Sequence, residues 1–83
     1  MKEFIEFIAK NLVDNPTGVK VEEILLEDNS IKIILQVDDL ETGKVIGKSG
    51  KTAKAMRILL TAIAAKNGKR AYMEIADKLN REN

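Results

Sequence analysis

Gly47, Lys48, Ser49 and Gly50 have the clearest chemical purpose in this chain: two glycines bracket a lysine and a serine, and lysines recur at 44, 48, 51 and 54. A backbone that reverses between two helices within a few residues needs conformations that glycine adopts at little cost. Such a reversal leaves free N–H groups at the start of the second helix, reinforced by the positive end of its dipole. The expected chemistry is the holding of an anionic oxygen at residues 48–51, with mobile ammonium groups around it.

Catalysis has few means here. The sequence contains no histidine and no cysteine, which removes the usual general base near neutral pH, the commonest metal ligand, and any thiolate or disulfide. Adjacent carboxylates occur at Glu22 and Glu23 and at Asp38 and Asp39. Neighbours on a strand point to opposite faces, and the aspartate pair suits helix capping, so neither pair is read as an acid–base or metal site. Residues 43–49 end in Gly-Lys-Ser like a nucleotide-binding P-loop, but three residues separate Gly43 from Gly47 where that loop has four. A chain of 83 residues also leaves no parallel β-α-β core to be expected behind such a loop. No catalytic residue, metal, cofactor or small-molecule substrate is expected.

Charge points to a different partner. The formal net charge is +1, yet residues 1–41 hold four basic side chains against ten acidic ones, while residues 42–73 hold eight basic (Lys44, Lys48, Lys51, Lys54, Arg57, Lys66, Lys69, Arg70) and no acidic one. A local positive field attracts phosphate whatever the total charge. No run approaches the roughly 20 apolar residues of a spanning helix, and glutamates at positions 3 and 6 interrupt what a signal peptide would keep apolar. A cytoplasmic protein without a membrane partner is expected.

The elements that must position the turn follow from periodicity. Phe4, Ile5, Ile8 and Leu12 recur at helical spacing over residues 2–13, and Asp14-Asn15-Pro16 ends that helix. Val19 and Val21 then alternate, whereas Ile24 and Leu26 take the opposite parity, which predicts a strand bulged at Glu22 or Glu23. After a turn at 27–30, Ile31, Ile33, Leu35 and Val37 form the cleanest alternation, and the two strands should make an antiparallel hairpin. Asp38, three residues before Glu41, has capping-box spacing for a short helix that Gly47 stops. The longest helix, residues 51–66, stops at Asn67-Gly68 and should present Ala53, Met56, Leu60 and Ile63 to the sheet. Lys54, Arg57 and Thr61 form its polar stripe, and Ala55, Ile58, Ala62 and Ala65 a second apolar arc. Residues 70–76 alternate as a third strand and 77–83 form a polar tail. The expectation is one α+β domain over 1–83, in the order α-β-β-α-α-β, with helices on one face of a three-stranded sheet.

Set in that order, Val45-Ile46-Gly47-Lys48-Ser49-Gly50 and the lysine-bearing helix after it resemble the Val-Ile-Gly-x-x-Gly signature of KH domains, in the prokaryotic, type II topology. Residues 43–57 are most similar to the small bacterial single-KH RNA-binding family known as KhpA (YlqC), and the resemblance covers essentially the whole chain. It implies that the Gly-x-x-Gly loop clamps the backbone of single-stranded RNA, about four nucleotides in KH domains. Gly47 and Gly50 would then allow close approach, Lys48 and Ser49 contact phosphate, and Lys44, Lys51, Lys54 and Arg57 add charge. It further implies homodimers or pairing with a second KH protein of the Jag/KhpB type, and a role in post-transcriptional control or RNA chaperoning linked to cell growth and shape. Many KH domains carry isoleucine where this chain has Ala53 and Met56, so a differently shaped groove wall is expected.

Plainer readings exist for the same residues. Lys51, Lys54 and Arg57 suit a solvated helix face, and Lys66, Lys69 and Arg70, a helix length from the turn, suit solubility or a second contact. Ala55, Ile58, Ala62 and Ala65 suit either filler against the first helix or a dimer or partner surface. A scaffold that pairs with another KH protein and binds little RNA is the alternative function. With aromatic residues only at Phe4, Phe7 and Tyr72, stacking platforms are not expected.

Overall fold

The computed structural model describes residues 1–76, so the tail expected at 77–83 lies outside the described residues. Helix α1 (Lys2–Leu12) turns Ile5 and Ala9 into the core; of the other residues at the expected spacing, Phe4 and Ile8 are partly buried beside them and Leu12 is exposed. Pro16 opens a single 3₁₀ turn (Pro16–Gly18) that leads into strand β1 (Lys20–Leu25). Strand β2 (Ile31–Gln36) follows, then a 3₁₀ turn at Asp39–Glu41 and the short helix α2 (Thr42–Ile46). A third such turn, Lys48–Gly50, opens into α3 (Lys51–Lys66), and β3 (Ala71–Ala76) closes the described chain.

The strands lie in the order β1-β2-β3, with β1 antiparallel and β3 parallel to β2. The middle strand buries Ile31, Ile33 and Leu35 on the face that carries the helices. Against them pack Ile5 and Ala9 of α1, Val45 of α2, and Ala53, Met56 and Leu60 of α3. This single apolar cluster fixes α3 over the sheet and thereby fixes where the turn before it points.

Four details depart from the pattern reading. Strand β1 is not bulged: it pairs without interruption from Lys20 opposite Gln36 to Leu25 opposite Ile31. The parity shifts because Glu23, opposite Ile33 and so on the helix face, accepts a hydrogen bond from the Lys2 N–H at 3.2 Å at the start of α1. A carboxylate is favoured there by the helix dipole, and Leu25, next on the same face, is left exposed. Asp38 makes no side-chain cap; its carboxylate accepts from the Asn15 amide at 3.0 Å. On α3 the fourth core position is Ala64, fully buried, rather than Ile63, which is half-buried, because at 3.6 residues per turn the position four after Leu60 stays in the row of Ala53 and Leu60. Finally, β2-α2-α3-β3 is a parallel crossover, contrary to the expectation from chain length. Its glycine turn lies between two helices, where a P-loop joins a strand to a helix, so the nucleotide-triphosphate reading still fails on spacing and place.

Candidate nucleic-acid interface

Helix α2 ends when the Gly47 N–H donates to the Gly43 carbonyl at 2.9 Å. Three of the next four φ angles are positive: Gly47 at 79°, Ser49 at 58° and Gly50 at 73°. A Cβ on Gly47 would lie 2.8 Å from the Thr52 backbone nitrogen, so the turn is pressed onto the first turn of α3 and admits no side chain there. At Gly50 a Cβ would meet nothing within 4 Å; only the left-handed backbone asks for glycine. The Gly50 N–H closes the turn on the Gly47 carbonyl at 3.1 Å. Among the described residues the N–H groups of Lys48 and Ser49 donate no hydrogen bond, and both residues are exposed.

The electrostatics reinforce that vacancy of partners. Helix α3 starts with no side-chain cap and no acidic residue in its first turn, and it places Lys51 and Lys54 at the positive end of its own dipole. Cations in that position are unfavourable by roughly 0.3–1 kcal/mol each, and an anion relieves them. Among the described residues Lys48, Lys51, Lys54 and Arg57 form no ion pair. Lys44 is different. Its ammonium hydrogen-bonds the Asp14 carboxylate and lies 3.7 Å from Glu41; the hydrogen bond to Asp14 is the main reason its pKa is raised above the usual lysine value. Of the eight residues expected to contact RNA, the structure therefore brings Gly47, Lys48, Ser49, Gly50, Lys51 and Lys54 to one exposed turn and helix start, and holds Lys44 in an acidic pair.

Glu41 explains why. It is 8% exposed, and its carboxylate accepts from the N–H groups of Asp14 and Asn15, the latter at 3.2 Å, where α1 has ended. The carboxylate thus ties α1 to α2 and holds the platform behind the turn.

Arg57 lies further along α3, where the helix and the free edge of β3 enclose a groove of about 530 Å³. Its Nε donates to the Met73 carbonyl at 3.3 Å, on the edge of β3 that no strand pairs among the described residues. Leu60, Thr61 and Ala65 line the helix wall, and Lys69, Arg70 and Tyr72 the other side, with no acidic residue lining it among the described residues. Ala53 and Met56, expected to shape this wall, are buried at 3% and 2% exposure in the core instead, because they face the sheet and not its edge. One aromatic ring, Tyr72, reaches the groove. Lys69 and Arg70 could have been placed here from the sequence: the acid-free basic block runs to residue 70, and a strand at 71 must return along α3. The arc Ala55, Ile58, Ala62 and Ala65 is exposed throughout, with Ile58 at 60%, and Leu59 beside it at 48%; none of it packs on α1.

The fold and its glycine turn define a KH domain of the type II arrangement, a binding module and not an enzyme. The chain belongs to the KhpA/KhpB family of KH domains, whose model matches residues 2–75. It is 49% identical over 77 residues to "RNA-binding protein KhpA" of Aquifex aeolicus, covering 93% of this chain and 96% of that protein. The protein of the same name from Clostridium perfringens is 49% identical over 75 residues, 90% of this chain and 99% of its own. That of Chlamydia pneumoniae is 42% identical over 78 residues, 94% and 99% of the two chains. No solved structure matches the chain at a significant level.

Proposed function

We propose that the chain is a cytoplasmic protein that binds single-stranded RNA by its backbone, as a single KH unit. The observation that carries this reading is the pair of N–H groups at Lys48 and Ser49, unpartnered among the described residues and set at the start of a helix that no described side chain caps and whose first turn is basic. Phosphates approach at Gly47 and Gly50, Lys48, Lys51 and Lys54 neutralise them, and the groove beside α3 holds bases by apolar contact and edge hydrogen bonds. The relatives named as RNA-binding proteins support the ligand class, and post-transcriptional control or RNA chaperoning is the corresponding role. Changing Lys48 and Ser49 both to Asp removes the attraction without touching the core. Binding of a labelled single-stranded RNA is lost in that double variant while circular dichroism and melting stay nearly unchanged; unaltered affinity would refute the assignment.

The exposure of Ile58 and Leu59 favours a second use of α3, as the surface through which two KH units pair, either two copies of this chain or this chain with a KhpB/Jag-like protein. A single KH module offers few nucleotide contacts, and pairing raises avidity. Light scattering of Ile58→Lys, expected to be monomeric where the parent chain is dimeric, tests it.

A further inference from the structure

The groove does not end at β3. A second, smaller pocket of about 280 Å³ is lined by Asp28, Asn29, Ser30, Gly68, Lys69 and Arg70, and Lys69 and Arg70 line the groove as well, so the two cavities share a wall. This pocket lies between the β1–β2 turn and the α3–β3 connection, past the last turn of α3. Sixteen helical residues separate it from the glycine turn, a length of about 24 Å at 1.5 Å per residue.

The shared wall is built and held. The Gly68 N–H donates to the Ala65 carbonyl at 3.0 Å, the Lys69 N–H to the Ala64 carbonyl at 2.9 Å, and the Arg70 carbonyl accepts from Ile31 at 2.8 Å. Lys69 and Arg70 thus project from a backbone fixed at both ends, one on α3 and one on β2. Among the described residues neither forms an ion pair within 4.0 Å. The one carboxylate in the pocket, Asp28, directs an oxygen to Ser30, accepting from both its N–H, at 3.1 Å, and its hydroxyl. What remains is a polar cavity with two cations and Asn29 among its lining.

From this geometry we infer that the RNA track continues from the groove, between Lys69 and Arg70, into the pocket at Asn29 and Gly68, which takes one or two nucleotides beyond those the glycine turn and groove hold. The inference rests on the RNA-binding reading above. Lys69 and Arg70 neutralise phosphates at the crossing, and Asn29 offers both a donor and an acceptor to a base edge or a ribose hydroxyl. The footprint is therefore longer than the four nucleotides that a Gly-x-x-Gly loop clamps.

Fluorescence anisotropy of 5′-labelled oligouridylates of about four and eight nucleotides, titrated at several salt concentrations, tests this because added phosphate contacts steepen the salt dependence by about 0.7 each in log affinity against log salt. Unlike raw affinity, the slope is not raised by the extra registers a longer strand offers. For the parent chain the eight-nucleotide slope is steeper than the four-nucleotide slope by about 1.4, the value for two phosphates; in the doubly changed Lys69→Ala, Arg70→Ala chain, shown to be folded by its melting curve, the two slopes converge. Equal slopes in the parent, or a difference that survives the double change, overturn the extension alone. Binding of neither oligomer overturns the RNA-binding reading itself and the extension with it.

Discussion

Helices α1 and α3 meet opposite treatment at their ends, and the difference separates the frame of this molecule from its working edge. At the start of α1, Glu3 lies in the first turn and Glu23 accepts from the Lys2 N–H; just past its end, Glu41 takes the N–H groups of Asp14 and Asn15. Every one of those acids is supplied by the acidic half of the chain. The start of α3 receives none: its first turn carries Lys51 and Lys54, and the preceding Lys48 and Ser49 N–H groups are unpartnered among the described residues. A chain whose net charge is only +1 thereby uses acids of its first half within its own frame and leaves the cations at the start of α3 without an acidic partner among the described residues. Segregation of charge along the sequence has become segregation of purpose in space.

The comparison can be broken most severely at Glu41. Glu41→Ala leaves two N–H groups without an acceptor in a part-buried site and deprives Lys44 of a partner, each unsatisfied group costing about 1–3 kcal/mol. Stability should fall by roughly 2–3 kcal/mol, which in a domain of this size lowers the melting temperature by roughly 10–20 °C. Scanning calorimetry measures it. A change below about 0.5 kcal/mol would mean that the carboxylate is incidental to the frame.

A smaller effect, with opposite signs at the two sites, sharpens the contrast between lysines. Lys51→Ala removes a cation from the wrong end of a helix dipole and should raise stability by about 0.3–1 kcal/mol while flattening the salt dependence of RNA affinity by about 0.7 in log–log slope. Lys44→Ala should do the reverse, lowering stability through the loss of its Asp14 and Glu41 contacts and leaving the salt slope nearly intact. Denaturant melts and salt titrations of the two variants, side by side, would expose any shared role.

Much of this was legible in the sequence, for reasons that can be named. Residues 47–50 declare themselves because positive φ and close backbone approach demand particular residues, and Gly47 is constrained by both. The alternation of β2 survives because it is the middle strand, with one face packed under helices. At β1 alternation misleads, since its inward position at Glu23 answers to the end of a helix 21 residues earlier and not to the core. Capping-box spacing pairs Glu41 with Asp38, whereas the backbone N–H groups it accepts from are 26 and 27 residues away; local spacing carries no trace of them. Lys69 and Arg70 could be placed beside α3 from the basic block, but the shape of the groove and its second pocket could not, for the same reason. They form where the parallel return of β3 brings residues 69–73 beside α3 and residues 28–30 beside residue 68, and strand order is not written in period or propensity.

The central claim, that the turn at 47–50 and the start of α3 hold the RNA backbone, is tested most directly by amide chemical shifts of the labelled protein during titration with a short single-stranded RNA. The largest shifts are expected at the Lys48 and Ser49 N–H groups and in the first turn of α3, with smaller ones along the β3 edge and little at α1. Shifts confined to the arc around Ile58, with the turn unmoved, would contradict the claim and leave this chain a pairing module.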